Sequence, residues 1–510
     1  MESDRDMEGL TSINQGNAPS STELPYEHHP CLEYLKFGWS CCVVIIAIIV
    51  ICTGITYQYS VIKYGPWLLF LLLIASILLL AYVEGLHYAV VSVERWDVAK
   101  YRSRFPRGYK THSLVNSPGN HNANKIYMLS NFGYYLLVQK KKFLAGRQFF
   151  VIFAVFLAAQ LTSYPGCPSD FLGMPEEIVT SLIKSGLLGV MVVLTFGQLL
   201  PELLCEEFTM QFLNMYGCNF VVRLALAVEY IGLCHFSWLL YETMLAIFCG
   251  TGRQAFFRAD RSAATDRLKS IPFTDVATSS EAKEMQESRE LVPDVDNQLP
   301  PLPLHVKELN WFDYLKYIFS TSITLGSIIV SVIGIYNGYY FLECSIPVSF
   351  VLLALSLTLL FYLEGLMVAI AGTQYWDRDM FKEDFPMAFS LHELVNRPHN
   401  VKRFMIGRQF CTVLMCYIMA EVTTFPGWPE YSQLGPVLHF LLFRSGLVGV
   451  FIVLSFGQLM PELLAAEYPL RFMNLPGSYT VVCISLFMES IGVGHCAWIV
   501  YSLLRSLMWT

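Results

Sequence analysis

The feature that most constrains this chain is a series of apolar runs, each long enough to cross a lipid bilayer. About 30 Å of hydrocarbon needs roughly 20 helical residues. Runs of that size occupy 38–60, 66–93, 143–163, 178–204 and 219–249, then 317–339, 346–371, 404–422, 437–463 and 478–505. Backbone N–H and C=O groups in hydrocarbon must be satisfied within the segment, which dictates helices. The expected fold is an all-α integral membrane protein with ten transmembrane helices. Composition agrees: 15% of the 510 residues are charged and 54% hydrophobic, against about 25% charged in soluble domains, and mean hydropathy is +0.46. A net charge of -7 leaves no basic excess for neutralising phosphates, so nucleic acid is set aside as a partner. The expected partner is the lipid bilayer, with the plasma membrane favoured over internal membranes. Cysteines such as Cys41, Cys52, Cys234 and Cys416 lie inside apolar runs, where thiols act as small hydrophobes.

Two segments break the pattern. Residues 1–33 are acidic and rich in Gly, Pro, Ser and Asn, the composition of a disordered tail. Residues 250–312 carry Pro293, Pro300, Pro301 and Pro303 between charge runs and read as a linker. The membrane part thus divides into 34–249 and 313–510.

These halves are copies. Glu84-Gly85-Leu86 recurs as Glu364-Gly365-Leu366 at an offset of 280, and Gly146-Arg147-Gln148 as Gly407-Arg408-Gln409 at an offset of 261. The first half therefore carries 19 extra residues, placed within 117–142. Gly197-Gln198 with Pro201-Glu202 recurs as Gly457-Gln458 with Pro461-Glu462, and Glu229, Gly232 and His235 recur as Glu489, Gly492 and His495. Internal duplication in a multi-span protein is a mark of secondary transporters, with the site where the repeats meet. Five spans is an odd number, so a second copy enters from the opposite side, and the expectation is two inverted five-helix repeats. The homologous basic loops after spans 2 and 7 then fall on opposite faces, which leaves orientation open.

Ionisable groups inside spans are expensive and normally face a protein interior or an aqueous path. Glu84 and Glu364 stand near the ends of their spans; Arg147 and Arg408 open theirs, each followed by a glutamine that offers donors and an acceptor together. An internal salt bridge is the expected use of the arginines, while the glutamates are candidates for ligand or ion contact. Pro201 and Pro461 free the carbonyls four residues back, those of Gly197 and Gly457, beside Gln198 and Gln458. The rival reading is a kink whose glycine permits close packing. Glu229 and His235, like Glu489 and His495, are six apart, which does not match the i, i+4 spacing of a helical zinc site. They read as structural intramembrane polar groups, and no metal site or catalytic residue is assigned.

At this point the residues resemble a family, the silicon transporters with their silicon-transporter-like relatives. The family pattern is an E-G-x-Q stretch ending in G-x-Q, then G-R-Q at the next span, in each half. Glu84-Gly85-Leu86, Glu364-Gly365-Leu366, Gly146-Arg147-Gln148 and Gly407-Arg408-Gln409 match it. The chain departs at His87 and Met367, which replace the first glutamines, and at Ser92-Val93-Glu94, where the second half keeps Gly372-Thr373-Gln374. The resemblance implies transport of silicic acid, a neutral polyhydroxylated solute, which calls for mixed donors and acceptors. Gln148, Gln409, Gln198, Gln458 and Gln374 would supply them, with Glu84 and Glu364. It further implies sodium as coupling ion in a symport, for which Glu84, Glu364 and the freed carbonyls of Gly197 and Gly457 are the candidate ligands; no other cofactor is expected. The competing readings are a non-transporting receptor or scaffold on the same fold, and a membrane-embedded enzyme using Glu229 and His235 or their copies.

Overall fold

Proline in the first turn, where a missing N–H costs nothing, opens the second long helix of each half. The computed structural model describes residues 30–93, 101–116, 128–249, 311–342, 344–374, 376, 378–429 and 435–509. The tail and linker expected at 1–33 and 250–312 lie outside the described residues except at their edges. All regular structure among the described residues is helical. The first half contains α1 (Pro30–Thr56), α2 (Pro66–Ser92), α3 (Met128–Thr162), α4 (Leu187–Glu207), α5 (Cys218–Ile231) and α6 (His235–Cys249). The second repeats it as α7 (Trp311–Tyr336), α8 (Ile346–Thr373), α9 (Asn400–Val422), α10 (Leu447–Glu467), α11 (Ser478–Ser490) and α12 (His495–Trp509).

Eight of these, α1 to α4 and α7 to α10, are long and apolar enough to cross a membrane. The other two expected spans are each broken in two, α5 from α6 by a bend of 59° and α11 from α12 by one of 56°, so the described residues hold eight to ten candidate spans. The breaks have a local cause. Gly232 and Gly492 end α5 and lie just past α11 with φ of +98° and +89°, the left-handed conformation that terminates a helix and that glycine alone adopts freely.

Burial sorts the eight spans into layers. In α3, α4, α9 and α10 between 67% and 78% of the apolar window is buried, against 22% to 39% in α1, α2, α7 and α8. The first four form the centre, and the others present apolar side chains such as Ile45, Leu71, Ile329 and Val351 outward, as lipid-facing helices must.

The direction of the spans departs from the expectation of inverted repeats. Ser60 on the α1–α2 turn bonds the carbonyl of Gln160, and the Tyr164 hydroxyl bonds that of Ile51, so this turn sits at the C-terminal end of α3. From there α2 runs back until Glu84 meets Arg147, antiparallel to α3. Near the start of α4, Gly189 lies beside both Thr162 of α3 and Tyr417 of α9, and further on its Glu202 meets Gln409, nearer the start of α9. It also runs alongside α2, with Gly197 against Leu80. Helix α4 is therefore antiparallel to α3 and to α9 alike, and α3 and α9 point the same way. The two halves are parallel copies related by a rotation about an axis along the spans, and not inverted ones. The parity agrees. Lys316 of α7 packs on Gly232, and Lys36 of α1 on Gly492; both helices then run with α3 and α9, so they start at the same end of the bundle. The odd fifth crossing disappears because α5 starts beside Phe212 while α6 reaches Glu467 through Tyr241, both at the end where α4 and α10 finish.

Candidate functional site

The centre of the bundle is built from the duplicated motifs. Gly146 and Gly407 bring α3 onto α5 and α9 onto α11 at backbone distance: a Cβ at either would lie 1.9 Å from the Ala225 carbonyl oxygen or 1.8 Å from that of Ser485. That approach sets the next residue, an arginine, against the neighbouring glutamate. Arg147 Nη1 is 3.0 Å from Glu84 Oε2 and Arg408 Nη1 is 3.0 Å from Glu364 Oε1, with all four side chains buried. Thr412 Oγ1 adds a 3.0 Å bond to Glu364. The first half has Val151 at the matching place; there the nearest addition is His87 Nδ1, 3.9 Å from Glu84.

The glutamines that follow the arginines cross between the halves. The Gln148 amide donates to Glu462 Oε1 of α10, and the Gln409 amide donates to Glu202 Oε1 of α4. These two carboxylates sit one turn after Gln458 and Gln198, on the same helix faces. The turns before them are π-helical, Val193–Leu199 and Val453–Leu459, the wider turn that often marks functional sites. The Oε1 atoms of Gln198, Gln458 and Gln409, and the Nε atoms of Arg147 and Arg408, are buried without a hydrogen-bond partner. Buried polar atoms of this kind normally find partners, so the cluster carries unused donors and acceptors of both kinds.

The charges interact as one group. Glu84 and Glu364 are paired with the two arginines, and Glu202 and Glu462 are bonded to the glutamines next to those arginines in sequence. Four carboxyl groups thus share two guanidinium groups. No group of three or more His, Cys, Asp or Glu side chains with metal-holding geometry occurs among the described residues.

Other expected residues stand apart. Gln374 caps the end of α8, ten residues beyond Glu364 and near the surface of the bundle, and Glu94 lies outside the described residues. A Cβ on Gly197 or Gly457 would meet Leu80 of α2 or Leu360 of α8 at 2.7 and 3.3 Å, so both glycines serve helix packing. Glu229 and Glu489 do not pair with the histidines six residues on. Glu229 is 3.8 Å from Lys142 and Glu489 is 2.7 Å from Arg403 Nε, while His235 packs edge-on against Tyr317 and His495 against Phe37, each on the first helix of the other half. These groups tie helices together at the rim. Sequence reasoning noted Glu202 and Glu462 beside the prolines without assigning them a ligand role; their recurrence one turn after a repeated glutamine was the available signal.

No curated protein and no solved structure matches the chain. A family model described as silicon transporter matches residues 28–255 and 308–467, which includes the whole of the central cluster. With most of its length accounted for in this way and its apolar helices arranged around duplicated polar motifs, the chain belongs to the silicon transporter family.

Proposed function

We propose that the protein is a secondary active transporter for silicic acid, or a similar small neutral hydroxylated solute, coupled to sodium and working by alternating access. The observation that carries this reading is the exchange of Gln148 to Glu462 and Gln409 to Glu202 across the two halves. A neutral polyol needs donors and acceptors together without a charged clamp, and the glutamine amides with the carboxyl oxygens beside them supply both. Because each bond joins one half to the other, a solute that replaces them alters how the halves are held. Alternation then consists of rocking two parallel copies about their interface, a mode open to parallel as well as inverted repeats.

Cation coupling is supported by the charge balance. Four carboxyl groups against two guanidinium groups leave an excess of two negative charges inside the bundle when all are ionised. Isolated charge in a low-dielectric interior is costly, and bound cations would offset it through hard oxygen ligands. The test is uptake of silicic acid into proteoliposomes holding the purified protein, with an inward sodium gradient, with the gradient collapsed, and without protein. Gradient-dependent uptake is expected. Equal uptake in all three, with the protein shown to be folded, overturns the proposal.

A further inference from the structure

At the opposite end of α3 and α9 from the arginines lies a second polar group that the proposed transport site does not use. Glu421 of α9 is 5% exposed, and its carboxyl is 3.1 Å from Ser163 Oγ, a neutral partner. With Gln160, Ser163, Thr424, Val61 and Phe341 it lines a small cavity. Gln160 is 4% exposed, and its Oε1 has no hydrogen-bond partner.

The duplication shows what holds this group. Glu421 is the copy of Gln160 and Thr424 the copy of Ser163, both at the offset of 261. In one arm of the pair, Thr424 Oγ1 donates to the carbonyl of Ala420 at 2.6 Å and accepts from Gln160 Nε2 at 3.1 Å. In the other, Ser163 Oγ lies 2.7 Å from the carbonyl of Ala159 and 3.1 Å from Glu421 Oε1. A hydroxyl has one proton to give. Ser163 Oγ is within donor reach of the carbonyls of Ala159 and Ser185 and of Glu421 Oε1; when its proton goes to the nearest of these, the Ala159 carbonyl, as in Thr424, the contact with Glu421 closes with the carboxyl carrying a hydrogen and donating it. A protonated carboxyl then does at 421 what the amide does at 160, with nearly the same shape and no charge.

We infer that Glu421 is a proton-binding site, occupied in this conformation and enclosed between the crossing ends of α3 and α9. The carboxylate takes one proton from hydronium, whose O–H bond breaks to leave water, and its negative charge is neutralised. Among the titratable and charged groups on the elements around it are Tyr417, Cys416, Cys411 and Arg408 on α9, Tyr164 and Cys167 after α3, Lys184, His439 and Arg444 before the starts of α4 and α10, Tyr339, Tyr340 and Cys344 after α7, and Tyr57, Tyr59, Lys63 and Tyr64 on the α1–α2 turn. Lys63 is held by the carbonyl of Gln58, Tyr164 by that of Ile51 and Tyr340 by that of Cys344, and Lys184 and Arg444 have interactions of their own. Motions that part α3 from α9 would break the contact with Ser163, admit water and release the proton.

The test is infrared difference spectroscopy on the full chain in lipid nanodiscs at neutral pH without added sodium, which needs no transported solute and so stands whether or not the transport reading does. Wild type minus Glu421→Gln is expected to show the C=O stretch of one protonated carboxyl, shifted in heavy water. Gln160→Glu is expected to add a second such band, and it gives an independent reading should Glu421→Gln fail to fold. Loss of an ionised carboxylate band in Glu421→Gln, or absence of a second protonated band in Gln160→Glu, overturns the inference. So does disappearance of the wild-type band on adding sodium at constant pH, which would make the cavity a metal-cation site.

Discussion

The amide of Gln148 on α3 is bonded to Glu462 on α10, and the same bond returns from Gln409 on α9 to Glu202 on α4, so each half completes its polar centre with a carboxyl from the other. Gln148→Ala and Gln409→Ala are expected to abolish solute uptake while the protein still reaches the membrane. Each leaves a carboxyl oxygen without its donor, at about 1–3 kcal/mol, which a bundle of this size tolerates. Exchanging the pair, Gln148→Glu with Glu462→Gln, keeps one amide and one carboxyl in contact and is expected to recover part of the uptake lost by either single change. Uptake rates at matched surface expression check this.

The arginines are expected to matter for folding before they matter for transport. Arg147→Met strands the Glu84 carboxyl in the interior, as Arg408→Met does Glu364, and breaking a buried pair this way costs about 3–5 kcal/mol. Replacing both partners, Arg147→Met with Glu84→Leu, is expected to restore most of the stability because no unpaired charge remains. Thermal unfolding in detergent distinguishes the two cases.

A methyl group is too much at the glycine of the repeated G-R-Q. Its Cβ would lie 1.9 Å from the Ala225 oxygen at Gly146 and 1.8 Å from the Ser485 oxygen at Gly407, and both neighbours are backbone that cannot swing aside. Gly407→Ala is expected to lower the unfolding temperature and to impair activity by shifting Arg408 and Gln409. The cost is at least that of overpacking a core, about 1–3 kcal/mol. Gly372→Ala, in open space at the end of α8, is the matched control and is expected to be near neutral.

Parallel halves settle an orientation that inverted ones leave open. The homologous basic segments, Arg102, Arg104, Arg107 and Lys110 in one half and Arg378, Lys382, Arg397, Lys402 and Arg403 in the other, now fall on one face. The short turns on the opposite face hold Lys63, Lys184 and Arg444. Since cytoplasmic loops carry the basic excess, the Arg102 face is expected inside the cell. A membrane-impermeant thiol reagent on intact cells should label Asn337→Cys and spare Arg104→Cys; the reverse pattern would invert the assignment.

How much of this the sequence carried can be argued residue by residue. Apolar runs near 20 residues and intramembrane charge are set by chain composition and the absence of water, so the helical membrane class, the duplication and the motifs of the centre were all legible before any coordinates. A salt bridge for Arg147 was the expectation on the same logic, because a buried charge must find its opposite; that its partner is Glu84 came from the structure. Counting runs of apolar residues did not distinguish a crossing from a pair of helices bent at Gly232 or Gly492, since hydropathy records length and not direction. One misread crossing per half was enough to turn parallel copies into inverted ones. The partners of Gln148 and Gln409 lie 314 and 207 positions away, and the likeness of Glu421 to Gln160 acquires meaning only when their hydroxyl partners are seen to exchange between helices. The sequence by itself determined what must be buried in lipid and which polar groups had to be hidden from it; the tertiary structure alone decided which of those groups meet, because hydrogen bonds of a few ångströms depend on helix direction and crossing, which no spacing along the chain encodes.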